Sequence, residues 1–373
     1  MEIDTVLLKV ASRCNLNCTY CYVYHLGDDA WKRQPKRMSR QVIERTCKQL
    51  AALAQAQSRP FSVVLHGGEP LLLGADNLDM LFSALRAGLP PSCGLHIQTN
   101  GVLLNDRMID LCRDYRVGIS ISLDGPASLH DKFRVDHAGR GSHDNVLRAI
   151  ARLRGRADAS ALFSGLLCVV DPRSDPAQVY AFLKSTGAPS LDFLYRDGNH
   201  THLPYGKASL ESVEYGQWMC GLLDVYLSDQ MPPRVRILDD LMRLILGGRG
   251  IKEGAGTESY GIVVVDTDGT INKNDTLKSA RGAADQFEKS WSVTDGNLVD
   301  LLASEEFASY YASQRPCASQ CLTCPDLAVC GGGMPAHRWS DANGFENPSV
   351  FCSDQKLLIA RMRTILGAYR GAA

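Results

Sequence analysis

The chain has 373 residues, 45% of them hydrophobic and 22% charged, with a formal net charge of −1. That is enough apolar material for a substantial buried core, and the near-neutral balance excludes the basic surface of a nucleic-acid binder. No apolar run reaches the roughly 18 residues of a membrane span, and the opening "MEIDTVLLKV" is an acidic lead into a strand, not a signal peptide. Neither a nucleic-acid nor a membrane partner is expected, and the expected location is the reducing cytosol.

In chain order, a strand is predicted at 6–10, followed by the loop "CNLNCTYC" at 14–21. Ser39 is a good N-cap for a helix through 40–55. Further strands are predicted at 61–68, 95–99, 117–123, 163–170 and 191–195, separated by helical patterns near 76–87, 106–115, 143–154 and 176–186. Such alternation implies a parallel sheet with right-handed crossovers, doubly wound or curled into a barrel. It breaks near residue 196, where "RDGNHTHLPYGKAS" reads as a linker or a substrate-facing loop. Two helices follow, near 211–228 and 236–247. "IVVVDTDGTINKND" then reads as a hairpin turning at Asp-Gly, and a last helix is expected from about 353.

The 13 cysteines are unevenly placed. In a cytosolic chain that number points to metal or redox chemistry before disulfides. Cys47, Cys93, Cys112, Cys168 and Cys220 sit singly in apolar or helical stretches and read as small buried hydrophobes. Cys14, Cys18 and Cys21 stand together and lack a fourth partner. A structural zinc wants four ligands, whereas three thiolates can hold three irons of a four-iron cube and leave the fourth open, as a catalytic metal requires.

The loop directly follows a strand, at the carboxyl end of a parallel sheet, where such folds bind ligands. "HGGEP" (66–70) and "SLDGP" (122–126) end two more strands. The glycines of the first allow close backbone approach, and Glu69 is placed to accept from a ligand amine. The second offers a hydroxyl and a carboxylate suited to a ribose.

CxxxCxxC with an aromatic residue before its last cysteine, followed in order by GGEP and "SISLDGP…HDKFR", resembles the radical S-adenosylmethionine (SAM) enzymes. The resemblance implies a partial (β/α)6 barrel, an α/β fold, with a [4Fe–4S] cluster on Cys14, Cys18 and Cys21. It further implies SAM contacts from Tyr20, from Gly67, Gly68 and Glu69 to the amine, from Ser122 near the ribose, and from Arg134 to the carboxylate. "CLTCPDLAVC" with a later cysteine resembles the SPASM extension of peptide-modifying relatives, and implies an auxiliary [4Fe–4S] cluster on Cys321, Cys324, Cys330 and Cys352. The expected domains are 1–200 (barrel), 201–250 (helical bridge) and 251–373 (SPASM-like).

A full SPASM extension carries a second, proximal cluster. Its cysteine positions here hold Asn274 and Met334, so two clusters are expected in all, and Cys317 is left unassigned. "VVVDTDGTINKNDTLK" and "CGGGMPAHRWSDANGFENPSVFC" are similar to the FxsB, XyeB and GrrM group of maturases. That likeness implies an aromatic-to-β-carbon cross-link (a cyclophane) in a ribosomal precursor peptide, with a flavodoxin or ferredoxin as electron donor. Asp275 falls where sulfatase-maturing relatives keep a catalytic aspartate, and equally where a hairpin aspartate fixes a turn. His337 and Arg338 would face the peptide or cap the metal loop. With the first strand starting so near Met1, leader recognition is expected on the barrel rim, in the SPASM region or in a separate protein. The alternatives are a sulfatase-type maturase forming formylglycine, and a non-catalytic iron–sulfur or zinc scaffold.

Overall fold

The computed structural model describes residues 1–296 and 298–371. Its strands are β1 (Thr5–Ala11), β2 (Ser62–Gly67), β3 (Leu95–Thr99), β4 (Val117–Ser122), β5 (Phe163–Val169), β6 (Ser190–Leu194), β7 (Arg234–Val235), β8 (Ile262–Val265), β9 (Thr270–Asn272) and β10 (Trp291–Ser292). The chain divides into two units, each made of several segments.

The first unit comprises 1–123, 130–166 and 260–312. Its strands run in the order β10-β9-β8-β1-β2-β3-β4, parallel from β8 to β4. The helices Arg40–Ala56, Ala75–Gly88, Asp106–Asp114 and His143–Arg154 follow the predicted pattern. Ser39 caps the first of them, its hydroxyl accepting from the Val42 amide at 3.3 Å. A parallel sheet covered on both faces would read as continuous apolar runs. Here β2, β3 and β4 instead alternate buried and half-buried positions. Val63, Leu65, Ile97, Ile119 and Ile121 belong to the core. The intervening His66, Gln98, Ser120 and Ser122 keep a second, polar face for other work.

The hairpin at 262–275 forms as its Asp-Gly turn predicts, with β8 and β9 antiparallel. What the pattern did not reveal is where it goes. β8 pairs with β1 in parallel, Leu8 opposite Val265, so the hairpin widens the sheet instead of standing apart.

The second unit comprises 124–129, 167–259 and 313–373. It holds the parallel pair β6–β7 and the helices Pro176–Ser185, Glu214–Ser228, Arg236–Ile245 and Cys352–Gly371. Lys207 and Asp354 form a fully buried ion pair at 2.6 Å. The other Asp354 oxygen accepts from the Gly216 amide at 2.7 Å, which pins the start of the last helix to Glu214–Ser228. Among the described residues no helix is long and apolar enough to cross a membrane.

Candidate active site

In the first unit, β1 hands the chain to the cysteine loop, and residues 133–137 strap that loop down. The Asn17 amide donates to the Val135 carbonyl at 2.7 Å and the Thr19 amide to the Phe133 carbonyl at 2.9 Å. His137 Nε2 lies 3.0 Å from the Cys14 carbonyl oxygen. The short helix Ala127–Phe133, which the sequence pattern did not disclose, delivers Arg134 to this place. Arg134 Nη1 donates to the Tyr20 hydroxyl at 2.7 Å, so two residues expected at SAM are joined. His130 is fully buried, with Nε2 3.0 Å from Ser142 Oγ, whose hydroxyl donates to the Arg134 carbonyl. Burial, then the charges of Arg134 and His143, pulls His130 down to about 2, so it stays neutral and serves to hold Arg134.

Burial pushes the Cys14 thiol up to about 12 and Cys21 up to about 11. Ligation requires thiolates, so cations must supply what burial withholds. Among the described residues no three His, Cys, Asp or Glu side chains are placed to share one ion. A zinc site needs its ligands on a single ion, whereas a cube takes one thiolate per iron and holds them apart. Three thiols on one loop suit a cube with an open iron and fall one short of the four ligands of a structural zinc. Asn100 adds an amide, its Nδ2 3.6 Å from Cys14 Sγ, and hydrogen bonds to sulfur are one way a protein tunes a cluster.

The GGEP segment does first what its neighbours need. The Gly68 amide donates to the Ala11 carbonyl at 2.8 Å and the Glu69 amide to that of Arg13 at 3.0 Å. A Cβ on Gly68 would lie 2.4 Å from the Arg13 backbone, so the close approach these glycines permit is to the chain leading into Cys14. Glu69 is fully buried. Its Oε1 accepts from Thr99 Oγ1 (2.6 Å) and the Leu71 amide (3.0 Å), and its Oε2 from the Asn100 amide (2.8 Å). Burial raises its pKa against these donors. Glu69 thus ties the end of β2 to the end of β3, with Oε2 retaining acceptor capacity for an amine. Ser122 Oγ accepts from Gln98 Nε2 at 3.0 Å. Gln98, Thr99 and Asn100 come from "QTNG", which sequence reasoning passed over. The available signal was a polar run at the carboxyl end of a parallel strand, the same position as GGEP and SLDGP.

Asp275 is buried and paired with Lys9 of β1 at 2.9 Å. The Tyr22 hydroxyl, one residue beyond Cys21, donates to it at 2.8 Å. Burial pushes the Asp275 carboxyl up, but Lys9, then His66 and the Tyr22 hydrogen bond, bring it down to about 2. Nearby, Lys278 lies 3.0 Å from Asp28 and 3.3 Å from Asp285. Asn274 caps the turn Asp275–Ser279, its side chain accepting from the Thr276 amide at 3.1 Å.

In the second unit, Cys321, Cys324, Cys330 and Cys352 line one cavity. Four thiols around one space fit an auxiliary cluster with no open corner. Burial pushes Cys330 up to about 12. Cys317 is exposed, with Sγ 3.9 Å from the Phe345 carbonyl, and does not line that cavity. Arg338 is fully buried. Nε donates to the Gly332 carbonyl at 2.9 Å, and Nη2 to those of Gln314 at 2.7 Å and Gly333 at 2.6 Å. It thereby caps the left-handed turn Gly331–Gly333 that follows Cys330. His337 is buried too, 3.8 Å from Asp197 and edge-on to Phe351 at 5.0 Å. Four of the five solitary cysteines are buried, as expected; Cys220 is half-buried.

Residues 8–169 match the radical SAM superfamily model. The chain is similar to the cysteine-type anaerobic sulfatase-maturating enzyme of Clostridium novyi, 23% identical over 95% of this chain and 94% of that one. It is also similar to the serine-type enzyme of Klebsiella aerogenes, 27% identical over 89% and 80%. The solved structure of native anSMEcpe with bound AdoMet superposes with a TM-score of 0.83 at 21% identity, covering 99% of this chain and all of that one. Streptococcus suis SuiB bound to its precursor peptide SuiA gives 0.62 at 14%, over 90% and 72%. The α/β fold with its mostly parallel sheet and C-terminal extension is the one expected. The cysteine loop and the strand-end residues gathered beside it all lie within residues 8–169, the part of the chain that matches the radical SAM superfamily model.

Proposed function

We propose that the enzyme is a maturase that oxidises a side chain of a peptide or protein at its β-carbon, in the manner of the sulfatase-maturating enzymes that convert cysteine or serine to formylglycine. One observation carries this reading. Likeness to those enzymes continues past the radical SAM domain over nearly the whole of both chains. It outweighs the cross-linking reading that the hairpin and cysteine-tail residues suggested. Cys14, Cys18 and Cys21 would hold the catalytic cluster. Tyr20, Gly67, Gly68, Glu69, Ser122 and Arg134 would hold SAM, and Cys321, Cys324, Cys330 and Cys352 an auxiliary cluster. A flavodoxin or ferredoxin would deliver electrons. When bound, the cluster and SAM supply the carbon radical that takes a hydrogen atom from the substrate. The chain's own part is to aim the substrate, exclude water and receive the proton that oxidation releases, for which Asp275 is our candidate.

A second reading, the cyclophane cross-link, is favoured by Asp275 itself. A carboxylate held near 2 accepts readily only from a strong acid. The ring proton lost on rearomatisation is a strong acid, and a resting cysteine thiol is not. Asn274 and Met334 at the proximal ligand positions point the same way. Peptides carrying cysteine, serine or an aromatic residue separate the readings by mass spectrometry. A hydrazide-reactive aldehyde supports formylglycine, while loss of two hydrogens without an aldehyde supports the cross-link. SAM cleaved in the presence of all three peptides, with none altered, overturns both.

A further inference from the structure

The buried charges around the hairpin do not balance. Among the described residues, the ion pairs of Asp28, Asp275 and Asp285 are with Lys9 and Lys278 alone, Asp266 feels both lysines at longer range, and Lys273 adds a longer-range attraction to Asp285. The four aspartates, Lys9 and Lys278 are all less than a tenth exposed. Lys9 is committed to Asp275. Lys278 is shared between Asp28 and Asp285. Among the described residues the Asp266 carboxylate receives a neutral amide hydrogen, from Asn272 at 2.8 Å. Asp285 is 1% exposed, and its Oδ1 has no hydrogen-bond partner among the described residues. A buried carboxylate oxygen without a donor is costly, on the order of 1–3 kcal/mol or more for a charged group. Such an arrangement persists when something else supplies the donor or when function requires it.

Of these groups Asp266, Asp285 and Lys278 line a cleft of about 340 Å³, together with Asn272, Phe287 and Trp291 among others. That volume falls within the range of small-ligand sites. Its two aromatic walls already face cations. Lys273 Nζ lies 5.3 Å from the Phe287 ring centre and Lys289 Nζ 4.2 Å from that of Trp291. The apolar stem of a long basic side chain packs well on such rings while its charged head reaches further in. A metal ion is the weaker candidate. Among the described residues no three carboxylate, imidazole or thiol side chains are placed to share one.

We propose that this cleft binds an arginine or lysine side chain of the peptide substrate, its cationic head donating to Asp285 Oδ1 and compensating Asp266. The proposal rests on the peptide-maturase reading for its ligand. It would give the enzyme a substrate anchor away from the reacting residue, where binding energy can serve orientation.

The test uses the reconstituted holoenzyme, with N-acetyl-arginine amide as probe and the uncharged N-acetyl-citrulline amide as control, followed by calorimetry. Saturable binding of the arginine probe alone is expected, weakened at least tenfold by Asp285→Asn. Ser290→Arg, an exposed change at the cleft lining, places a guanidinium at the mouth without disturbing the buried cluster. It should also weaken the probe at least tenfold, which keeps the test valid if Asp285→Asn fails to fold. No saturable binding to the wild type, binding by both variants as tight as that of the wild type, or displacement of the probe by micromolar calcium overturns the proposal. Peptide modification is scored separately. Modified peptide without probe binding sinks the cleft alone, and probe binding without any modified peptide sinks the maturase reading alone.

Discussion

Lys9→Met removes the ammonium that neutralises Asp275 and keeps most of the apolar stem. Both side chains are almost fully buried, 5% and 2% exposed, so solvent screening does little to weaken the pair. Burial alone would lift the Asp275 carboxyl above its ordinary 3.8; Lys9, helped by His66 and Tyr22, brings it to about 2. A displacement of nearly two pK units corresponds to roughly 2.5 kcal/mol. Removing one partner of a buried pair, which strands the other charge, costs about 3–5 kcal/mol. The same attraction, with contributions from Asp266 and Asp285, raises the pKa of Lys9 against its burial. It is one interaction and is counted once. The variant should therefore lose about 2–5 kcal/mol at neutral pH.

The sign with pH follows from the depressed carboxyl. In the wild type the contribution is complete above the unfolded value of about 3.9 and disappears as pH falls through about 2. In Lys9→Met the carboxyl is buried without its partner, its pKa rises, and protonation relieves the penalty. The deficit of the variant should thus shrink as pH is lowered from 7 towards 4. Urea unfolding of reconstituted protein, followed by circular dichroism at several pH values, measures both quantities. The double change Lys9→Met with Asp275→Leu should recover most of the loss. A single variant within about 0.5 kcal/mol of wild type, or a deficit that does not change with pH, refutes the reasoning.

Alanine at Cys14, Cys18 or Cys21 should abolish SAM cleavage, and chromatographic detection of 5′-deoxyadenosine from such a variant would sink the cluster assignment. Arg134→Ala should weaken SAM binding by roughly 1.5–3 kcal/mol, the worth of a charge-assisted hydrogen bond; equilibrium dialysis with unchanged affinity would remove Arg134 from the SAM site. Iron and sulfide should each come to about eight per chain. Cys317→Ser should leave that count alone, Cys330→Ala should roughly halve it, and about twelve in the wild type would mean a third cluster. Gly68→Ala should destabilise the fold by about 1–3 kcal/mol through overpacking, and a melting temperature equal to wild type would contradict the Arg13 contact.

The alternation of strands and helices was legible in the sequence because each element carries its own period, and Ser39 marks the start of its helix. The cysteine loop and GGEP were legible because spacing along the chain is itself the signal. Contacts between distant segments left no such trace. Nothing local in "VLLKV" says that Lys9 meets a residue 266 positions later, and a lysine at the end of a strand reads as a solvated edge. The pairing of β8 with β1 decides it. Glu69 shows the same limit, since its three donors come from two strand ends that only the fold brings together. Arg338 was left with two readings for want of a contact. Its bonds to the glycine turn make it a cap for the loop after Cys330.

The hairpin is held by polar bonds and buried charges at the place where a full SPASM extension would bind a proximal cluster. Asn274 caps a turn, its amide nitrogen donates to the Tyr310 hydroxyl at 3.2 Å, and Asp275 and Lys278 carry the ion pairs. Buried pairs add little net stability over apolar packing, and their best-attested use is to fix a register. Here that use has a geometric basis. One residue of slip between β8 and β1 moves the strands by about 3.3 Å and would break the 2.9 Å contact of Lys9 with Asp275, leaving two unpaired charges in the core. Correct register sets Asp275 against Tyr22, and Tyr22 follows Cys21 directly. The charges that lock the hairpin to β1 thereby also fix the distance between the candidate proton acceptor and the cysteine loop, as oxidation chemistry beside that loop requires.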